Sequence, residues 1–299
     1  MLKIKAVFVF RISELFLEPQ SSLVLGILIG GHGSLPKEVV DNFNNTGTSH
    51  IIAVSGYNIT IIIGSLTILA YLFGRRWSFW LSVLTIISFV IITGASASVV
   101  RAGIMGFLFA LSGYIGRQYS VGSSIFFAGF IMLVINPKIL FWDAGFQLSF
   151  AASLGIIYFF PLFELLTKNW PKLFGIKTII LGTLSAVIAT LPLILLNFGL
   201  LSLTAPIVNV LVLPLIPATM FFGFFSVLPI VGPGLAMIDN WLLIYILKVT
   251  EFFAHIPHGV MSQKISIFIF WLIIGGIFGL YFGLKYILKR IQSKPVKEI

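Results

Sequence analysis

The sequence contains no cysteine and little else that binds metals or nucleotides. Without cysteine, neither disulfides nor thiolate metal sites can form. The four histidines, His32, His50, His255 and His258, do not form an HxHxDH or HExxH arrangement. We therefore expect no metal and no other cofactor. GxxxxGK[ST] is also missing, so ATP-driven work would need a partner protein.

Charged residues are scarce as well. They make up 9% of the 299 residues, whereas 59% are hydrophobic, and an ordinary globular domain has about 25% charged residues. The mean hydropathy is +1.10, and apolar runs repeatedly approach or exceed the roughly 20 residues needed to cross a bilayer. These features predict an all-α, polytopic helical membrane bundle with roughly eight to nine transmembrane segments. The expected spans are 51–73, 77–93, 99–115, 121–135, 145–166, 176–198, 203–228, 235–254 and 265–288.

The net charge of +10 comes from basic residues in loops and in the tail. If the spans alternate, Arg75, Arg117, Lys168 and Lys285 fall on one side, and the positive-inside rule makes that side cytoplasmic. The C-terminus is then cytoplasmic and 32–50 is extracytoplasmic. We divide the chain into an interfacial amphipathic segment (1–34), a transmembrane domain (35–288) and a basic cytoplasmic tail (289–299).

Three of the later spans depart from a plain apolar helix. Residues 203–228 contain Pro206, Pro214, Pro217 and Asn209, which indicates either a broken helix lining a cavity or a proline kink. Residues 235–254 are the least secure span, because Asp239, Lys248 and Glu251 interrupt them; the two acids suit a membrane helix if they face the bundle interior. Gly275, Gly279 and Gly283 share one helix face, which favours close contact inside the bundle over a dimer interface.

Polar residues within the apolar spans are the candidates for chemistry. Arg101 lies inside an apolar helix, where a cation is costly unless it is paired, wetted or extended to the interface. By topology, Asp143 is the expected carboxylate partner. His50, Ser55, Gly56 and Asn58 open the first strong span and predict a polar lining. A Ser–His pair can also suggest a hydrolase, but no orienting group or oxyanion site is visible, so we expect no enzyme.

Four ordered blocks resemble the ComEC competence family, whose members form the inner-membrane channel for DNA uptake. Residues 46–56 read TGTSHIIAVSG and resemble its TGxSHLLAxSG signature, and 97–105, ASVVRAGIM, resemble ASxxRAxxM. Residues 136–137 (NP) and 145–150 (GFQLSF) resemble the block NP...GFQLSF, and 206–214 resemble PxxN....P. The resemblance covers most of the chain from residue 35 to about 228.

The resemblance implies transport of single-stranded DNA across the cytoplasmic membrane of a bacterium during transformation, with 35–288 as the channel domain. The positions that match the family signatures are His50, Ser55, Gly56, Arg101, Gly145, Gln147, Ser149, Pro206 and Asn209. Together with Asn58 and Asp143, they are our predicted substrate path. Partners implied by the family are a cytoplasmic helicase-like motor and an extracytoplasmic DNA receptor, beside the lipid bilayer itself.

The chain also departs from the family pattern. Where relatives commonly read SGLH, this sequence has Tyr57 and Asn58 after Ser55 and Gly56. It has no room for the OB-like domain or the metallo-β-lactamase-like nuclease domain of longer relatives, so we expect a channel core that depends on a separate nuclease. Two alternatives stay open. One is a small-solute or ion secondary transporter using Arg101, Asp143 and Asn209, and the other is a membrane-embedded hydrolase.

Overall fold

The computed structural model describes residues 2–30, 35–52, 56–62, 64, 74–171, 175–257, 259–262 and 264–292. Ser55 and most of the first predicted span, as well as most of the basic tail, lie outside these residues. Over the described part the chain is mostly helical, as predicted.

Fourteen labelled helices and two short strands follow in chain order. They are α1 (Leu2–Leu15), α2 (Gln20–Ile29), α3 (Lys37–Asn45), α4 (Ser49–Ile52), α5 (Arg75–Ile92), α6 (Ala97–Ile115), α7 (Val121–Ile135), α8 (Ile139–Trp142), α9 (Ala144–Leu166), α10 (Ile176–Asn197), β1 (Leu200–Ser202), α11 (Ala205–Val212), α12 (Ile216–Phe225), α13 (Gly232–Ala254), β2 (Val260–Ser262) and α14 (Ile267–Gln292). Residues 56–62 are helical as well.

Within the described residues, six helices are long and apolar enough to cross a membrane. They are α5, α6, α9, α10, the combined α11–α12 segment Ala205–Phe225, and α14. The apolar helices α2 and α7 are shorter. Helix α13 has 23 residues but carries three charged side chains and is not among the six. The protein is therefore a multi-pass helical membrane protein, with six described spans where the sequence predicted roughly eight to nine in the whole chain.

The proline-rich span is interrupted only briefly. A 3-10 turn, Leu213–Leu215, separates α11 from α12 and holds Pro214. Proline lacks the amide hydrogen that an α-helix needs, so the helix tightens at this point. The segment is a kinked helix that continues on both sides of the turn.

The buried side chains form two apolar cores. The larger core joins α1, α2, α3 and α4 to α11, α12 and α13, with Leu23, Phe43, Val208 and Leu243 fully buried. Helix α2, in the N-terminal segment for which we predict an interfacial position, is thus part of the core. The smaller core joins residues 56–62 to α5 and α6 through Ile59, Ile86, Val99 and Ala102.

Helices α9 and α10 form a close hairpin, and β1 pairs with β2 in an antiparallel ribbon. Helix α14 packs on α9 through Tyr281, whose ring contacts Tyr158 and Phe159. Gly275, Gly279 and Gly283 have no described atom within 4 Å of their Cβ positions. The predicted close contact of this glycine face inside the bundle is therefore wrong for the described residues.

Candidate functional site

The most informative polar site surrounds Arg101 in α6. A tight turn of small residues leads from α5 into α6, with Gly94 at φ 81° and Ala95 at φ 53°. Because α6 begins at Ala97, Arg101 lies about 6 Å along the helix from its start. The side chain is half-buried, so its charge lies within the bundle.

The guanidinium of Arg101 lies against α9. Its Nη1 donates to the carbonyl oxygen of Ser149 at 3.0 Å and to the hydroxyl of Ser153. The Ser153 hydroxyl donates to the same carbonyl oxygen at 2.9 Å. The Arg101 Cζ lies 6.0 Å from the centre of the Phe150 ring, within reach of a cation–π interaction. One turn of α9 therefore holds the cation.

A glycine on the other side makes room for this side chain. A Cβ at Gly56 would lie 2.7 Å from Arg101 Nη2 and 3.2 Å from the Cβ of Ala102. Any larger residue at this position would have to displace the guanidinium. Gly56, Arg101 and Ser149 come from three different sequence blocks, and the structure brings them together at one point.

No carboxylate neutralises Arg101 among the described residues, whose one ion pair is Arg11–Glu14. The Nε of Arg101 is buried without a hydrogen-bond partner there. Asp143 instead caps α9, with its Oδ1 accepting from the Phe146 amide at 2.8 Å, so the expected Arg101–Asp143 pair is wrong. A guanidinium held by neutral groups retains the charge and the planar donors that bind phosphate or carboxylate.

The other predicted residues of the third block shape the start of α9. Gln147 Nε2 donates to the carbonyl oxygens of Leu140 at 2.9 Å and Phe141 at 3.2 Å, which fastens α8 to α9. A Cβ at Gly145 would lie 3.0 Å from Asp143 Oδ1, so glycine there leaves room for the cap. These contacts position the helix that carries Ser149.

The remaining predicted positions lie elsewhere in the fold. His50 is exposed on α4. Asn58 is buried and donates from Nδ2 to the Ile27 carbonyl oxygen at 2.7 Å, which ties residues 56–62 to α2. Pro206 occupies the first turn of α11, and Asn209 is buried on the same helix, whose neighbours Val208 and Val212 belong to the larger core. The structure therefore does not bring Asn209 to the Arg101 site.

Two residues with clear roles were absent from the predicted set. Ser153 binds Arg101, and its position four residues after Ser149 places both on one helix face, a signal that was available in the sequence. Gly47 has φ 66°, and a Cβ there would lie 2.9 Å from the Cβ of Ala205 and 3.1 Å from the Cβ of Ser202. The block at residues 46–56 thereby contacts the segment that leads into the block at residues 206–214.

The fold and this site define a class: a multi-pass helical membrane protein with a cationic side chain held inside its bundle by neutral groups. The chain belongs to the competence protein family. The sequence model described as "Competence protein" matches residues 27–290, which is most of the chain. This is a competence-related membrane protein.

Three relatives show the extent of the similarity. ComE operon protein 3 of Bacillus subtilis (strain 168) is 27% identical over 226 residues, which are 75% of this chain and 27% of that protein. An uncharacterized protein of Aquifex aeolicus (strain VF5) is 29% identical over 250 residues, 83% of this chain and 57% of that one. The uncharacterized protein YcaI of Escherichia coli (strain K12) is 24% identical over 210 residues, 66% of this chain and 28% of that one.

The chain thus spans between 27% and 57% of the length of these relatives. No solved structure matches it.

Proposed function

We propose that this protein carries single-stranded DNA across the cytoplasmic membrane during DNA uptake. The observation that carries the proposal is the Arg101 site. It is cationic, it has no carboxylate partner among the described residues, and it is assembled from three of the four blocks that resemble the competence channel.

The charge and the bases of single-stranded DNA fit a site that combines a cation with an aromatic ring. Each nucleotide brings a negative phosphate, which needs positive potential and water along its path. A half-buried guanidinium supplies the potential, and a neighbouring aromatic ring such as Phe150 supplies a surface on which a base can stack.

The location and partners form part of the same proposal. We place the protein in the inner membrane with a cytoplasmic C-terminus, because the basic loops and tail fall on one side if the predicted spans alternate. A helicase-like motor on that side would pull the strand, an extracytoplasmic receptor would deliver it, and a separate nuclease would degrade the other strand. In this scheme the chain conducts the strand and is not an enzyme.

The decisive experiment follows labelled DNA into a naturally competent host that encodes this chain. Replacing Arg101 by Gln removes the charge and shortens the side chain but keeps a polar end group. We expect about tenfold less DNA protected inside the cell, the effect of losing one charged contact of ~1.4 kcal/mol. Arg101→Lys should give an intermediate loss because lysine lacks the planar donors. The matched control is Arg117→Gln, at an exposed arginine that follows α6, and it should leave uptake unchanged.

Normal internalisation of DNA in a host without the gene would overturn the proposal. Equal uptake by the Arg101→Gln and wild-type proteins would remove Arg101 from the path. These two outcomes separate the function of the chain from the role of the residue.

The Arg101 site also supports a second function, the transport of a small anion. A guanidinium without a carboxylate partner binds small anions as well as phosphate groups of DNA. Two of the three residues expected in a small-solute transporter are used differently, since Asp143 caps α9 and Asn209 lies in the larger core. Purified protein in liposomes distinguishes the two functions. Movement of a small anion without binding of single-stranded DNA would favour the transporter.

A further inference from the structure

Helix α13 buries an aspartate in the larger core. Asp239 has no exposed surface, and it shares a helix face with Ala236, Leu243, Ile246 and Thr250, which are all buried. Their spacing of three and four residues produces one continuous buried stripe. Of the two acids that suit a membrane helix if they face the bundle interior, Asp239 faces it, whereas Glu251 is exposed.

The carboxyl group is enclosed by α12 and α2. A Cβ at Gly223 of α12 would lie 2.9 Å from Asp239 Oδ2, 2.6 Å from Val24 Cγ2 and 3.3 Å from Leu28 Cδ1. The glycine therefore leaves just enough space for the acid beneath two apolar side chains. Neither Oδ1 nor Oδ2 of Asp239 has a hydrogen-bond partner in the part of the chain that the structure describes.

No countercharge is supplied by the helices packed against α13. Helices α2, α11 and α12 contain no charged residue, and α3 contributes only Lys37, Glu38 and Asp41, all exposed. On α13 itself, Lys248 and Glu251 are exposed and lie nine and twelve residues from Asp239. An ionised carboxylate without a donor or a counter-ion is costly to bury, so the neutral, protonated acid is the stable form in this packing.

We propose that Asp239 is a proton-binding site of this protein, and that it releases its proton only when α12 separates from α13. Release breaks the carboxyl O–H bond and passes the proton to water, leaving a carboxylate that the closed packing cannot hold. Proton binding is thereby linked to the distance between two helices. Its coupling to DNA movement rests on the proposed function, whereas the protonation itself does not.

The protonation can be read directly, because the chain contains only three aspartates, Asp41, Asp143 and Asp239. We would label the side-chain carboxyl of aspartate with ¹³C in the full chain, reconstituted in lipid bilayers, and assign each signal with a single Asp→Asn variant. At neutral pH we expect the Asp239 signal at the position of a carboxylic acid. The exposed Asp41 provides the reference for an aspartate in water. Asparagine is nearly the same size as aspartate and is uncharged, so Asp239→Asn should remain folded.

The coupling is tested by DNA uptake in the competent host. Asp239→Asn can no longer exchange a proton, and we expect at least about a tenfold loss of internalised DNA. The matched control, Asp41→Asn, should retain wild-type uptake. If the Asp239→Asn protein is not produced, Gly223→Ala tests the same contact, since the added Cβ should shift the Asp239 signal and reduce uptake.

The possible outcomes distinguish three claims: that Asp239 is protonated, that its proton is coupled to DNA uptake, and that the protein carries DNA. A carboxylate signal for Asp239 at neutral pH, or one that shifts with sodium concentration, would overturn the proton site. An acid signal together with wild-type uptake by Asp239→Asn would overturn the coupling and leave a structural acid. An acid signal in a protein whose deletion leaves DNA uptake normal would support the proton site and refute the proposed function.

Discussion

Replacing Gly56 by alanine tests the Arg101 site most directly. The new Cβ would lie 2.7 Å from Arg101 Nη2, whereas ordinary contacts begin near 3.4 Å. The guanidinium must therefore move by about 0.7 Å, which lengthens its 3.0 Å bond to the Ser149 carbonyl beyond normal hydrogen-bond length if the movement is along that bond. A hydrogen bond to a charged group contributes about 1.5–3 kcal/mol, and part of that stabilisation should be lost.

The same Cβ also approaches Ala102, which belongs to a helix and cannot bend away. That contact of 3.2 Å should destabilise the protein by about 1 kcal/mol more through overpacking. We therefore expect Gly56→Ala to lower the free energy of unfolding by about 2 kcal/mol in total. Gly64→Ala is the control, because no described atom lies within 4 Å of its Cβ position and a helical Gly→Ala change favours folding by up to about 1 kcal/mol.

The assay is denaturation of the purified protein in detergent, measured for a double-mutant cycle of Gly56→Ala and Arg101→Gln. If the guanidinium is the group that is displaced, Gly56→Ala should cost about 1 kcal/mol less in the Arg101→Gln background. This account of the site would be refuted if Gly56→Ala lowered the free energy of unfolding equally in both backgrounds, or if it destabilised the protein no more than Gly64→Ala does. Uptake of labelled DNA by the Gly56→Ala host should fall in parallel with that of Arg101→Gln.

Three further predictions concern packing and capping. Gly155→Ala would place a Cβ 2.4 Å from the carbonyl oxygen of Ser185 and should lower the free energy of unfolding by at least about 2 kcal/mol. The control is Gly182→Ala, which should not destabilise the protein because no described atom lies within 4 Å of its Cβ position. Thermal unfolding of the two variants compares them. Gly47→Ala must hold alanine at φ 66° and should cost about 1–2 kcal/mol or more; wild-type stability would contradict the contact. Asp143→Ala should cost about 1 kcal/mol and Asp143→Asn much less, because asparagine also caps helices; equal losses of stability would show that the charge matters instead.

The helices and their limits were largely accessible from the sequence, because apolar length and turn residues are local signals. The predicted spans 77–93 and 99–115 correspond to α5 and α6, whose ends lie within two residues of the predicted ones. Residues 203–228 interrupt their helix, as the prolines predict. The first span stays a prediction, since most of it lies outside the described residues.

The contacts of the Arg101 site could not be predicted from such local signals. Arg101 binds residues 48 and 52 positions away, and neither is acidic, so a search for a carboxylate partner leads to Asp143 instead. Asp143 is used by its own helix, because the amides at the start of α9 are close and need an acceptor. The β1–β2 ribbon was also missed, because each strand has three residues and is defined only by its distant partner.

The ionisable side chains of Arg101 and Asp239 are both accommodated by a glycine that faces them, which bears on how the protein moves. Arg101 faces Gly56 and Asp239 faces Gly223, and in each pair a Cβ on the glycine would lie within 3 Å of the ionisable group. At both places an ionisable side chain is therefore one of the groups that limit the distance between the helices, beside apolar contacts with Ala102 at Gly56 and with Val24 at Gly223. If an anion draws Arg101 away from Ser149, or if water reaches Asp239, the contact that closes the helices is lost. Under the proposed function, ligand binding and helix separation would then be the same event at each site.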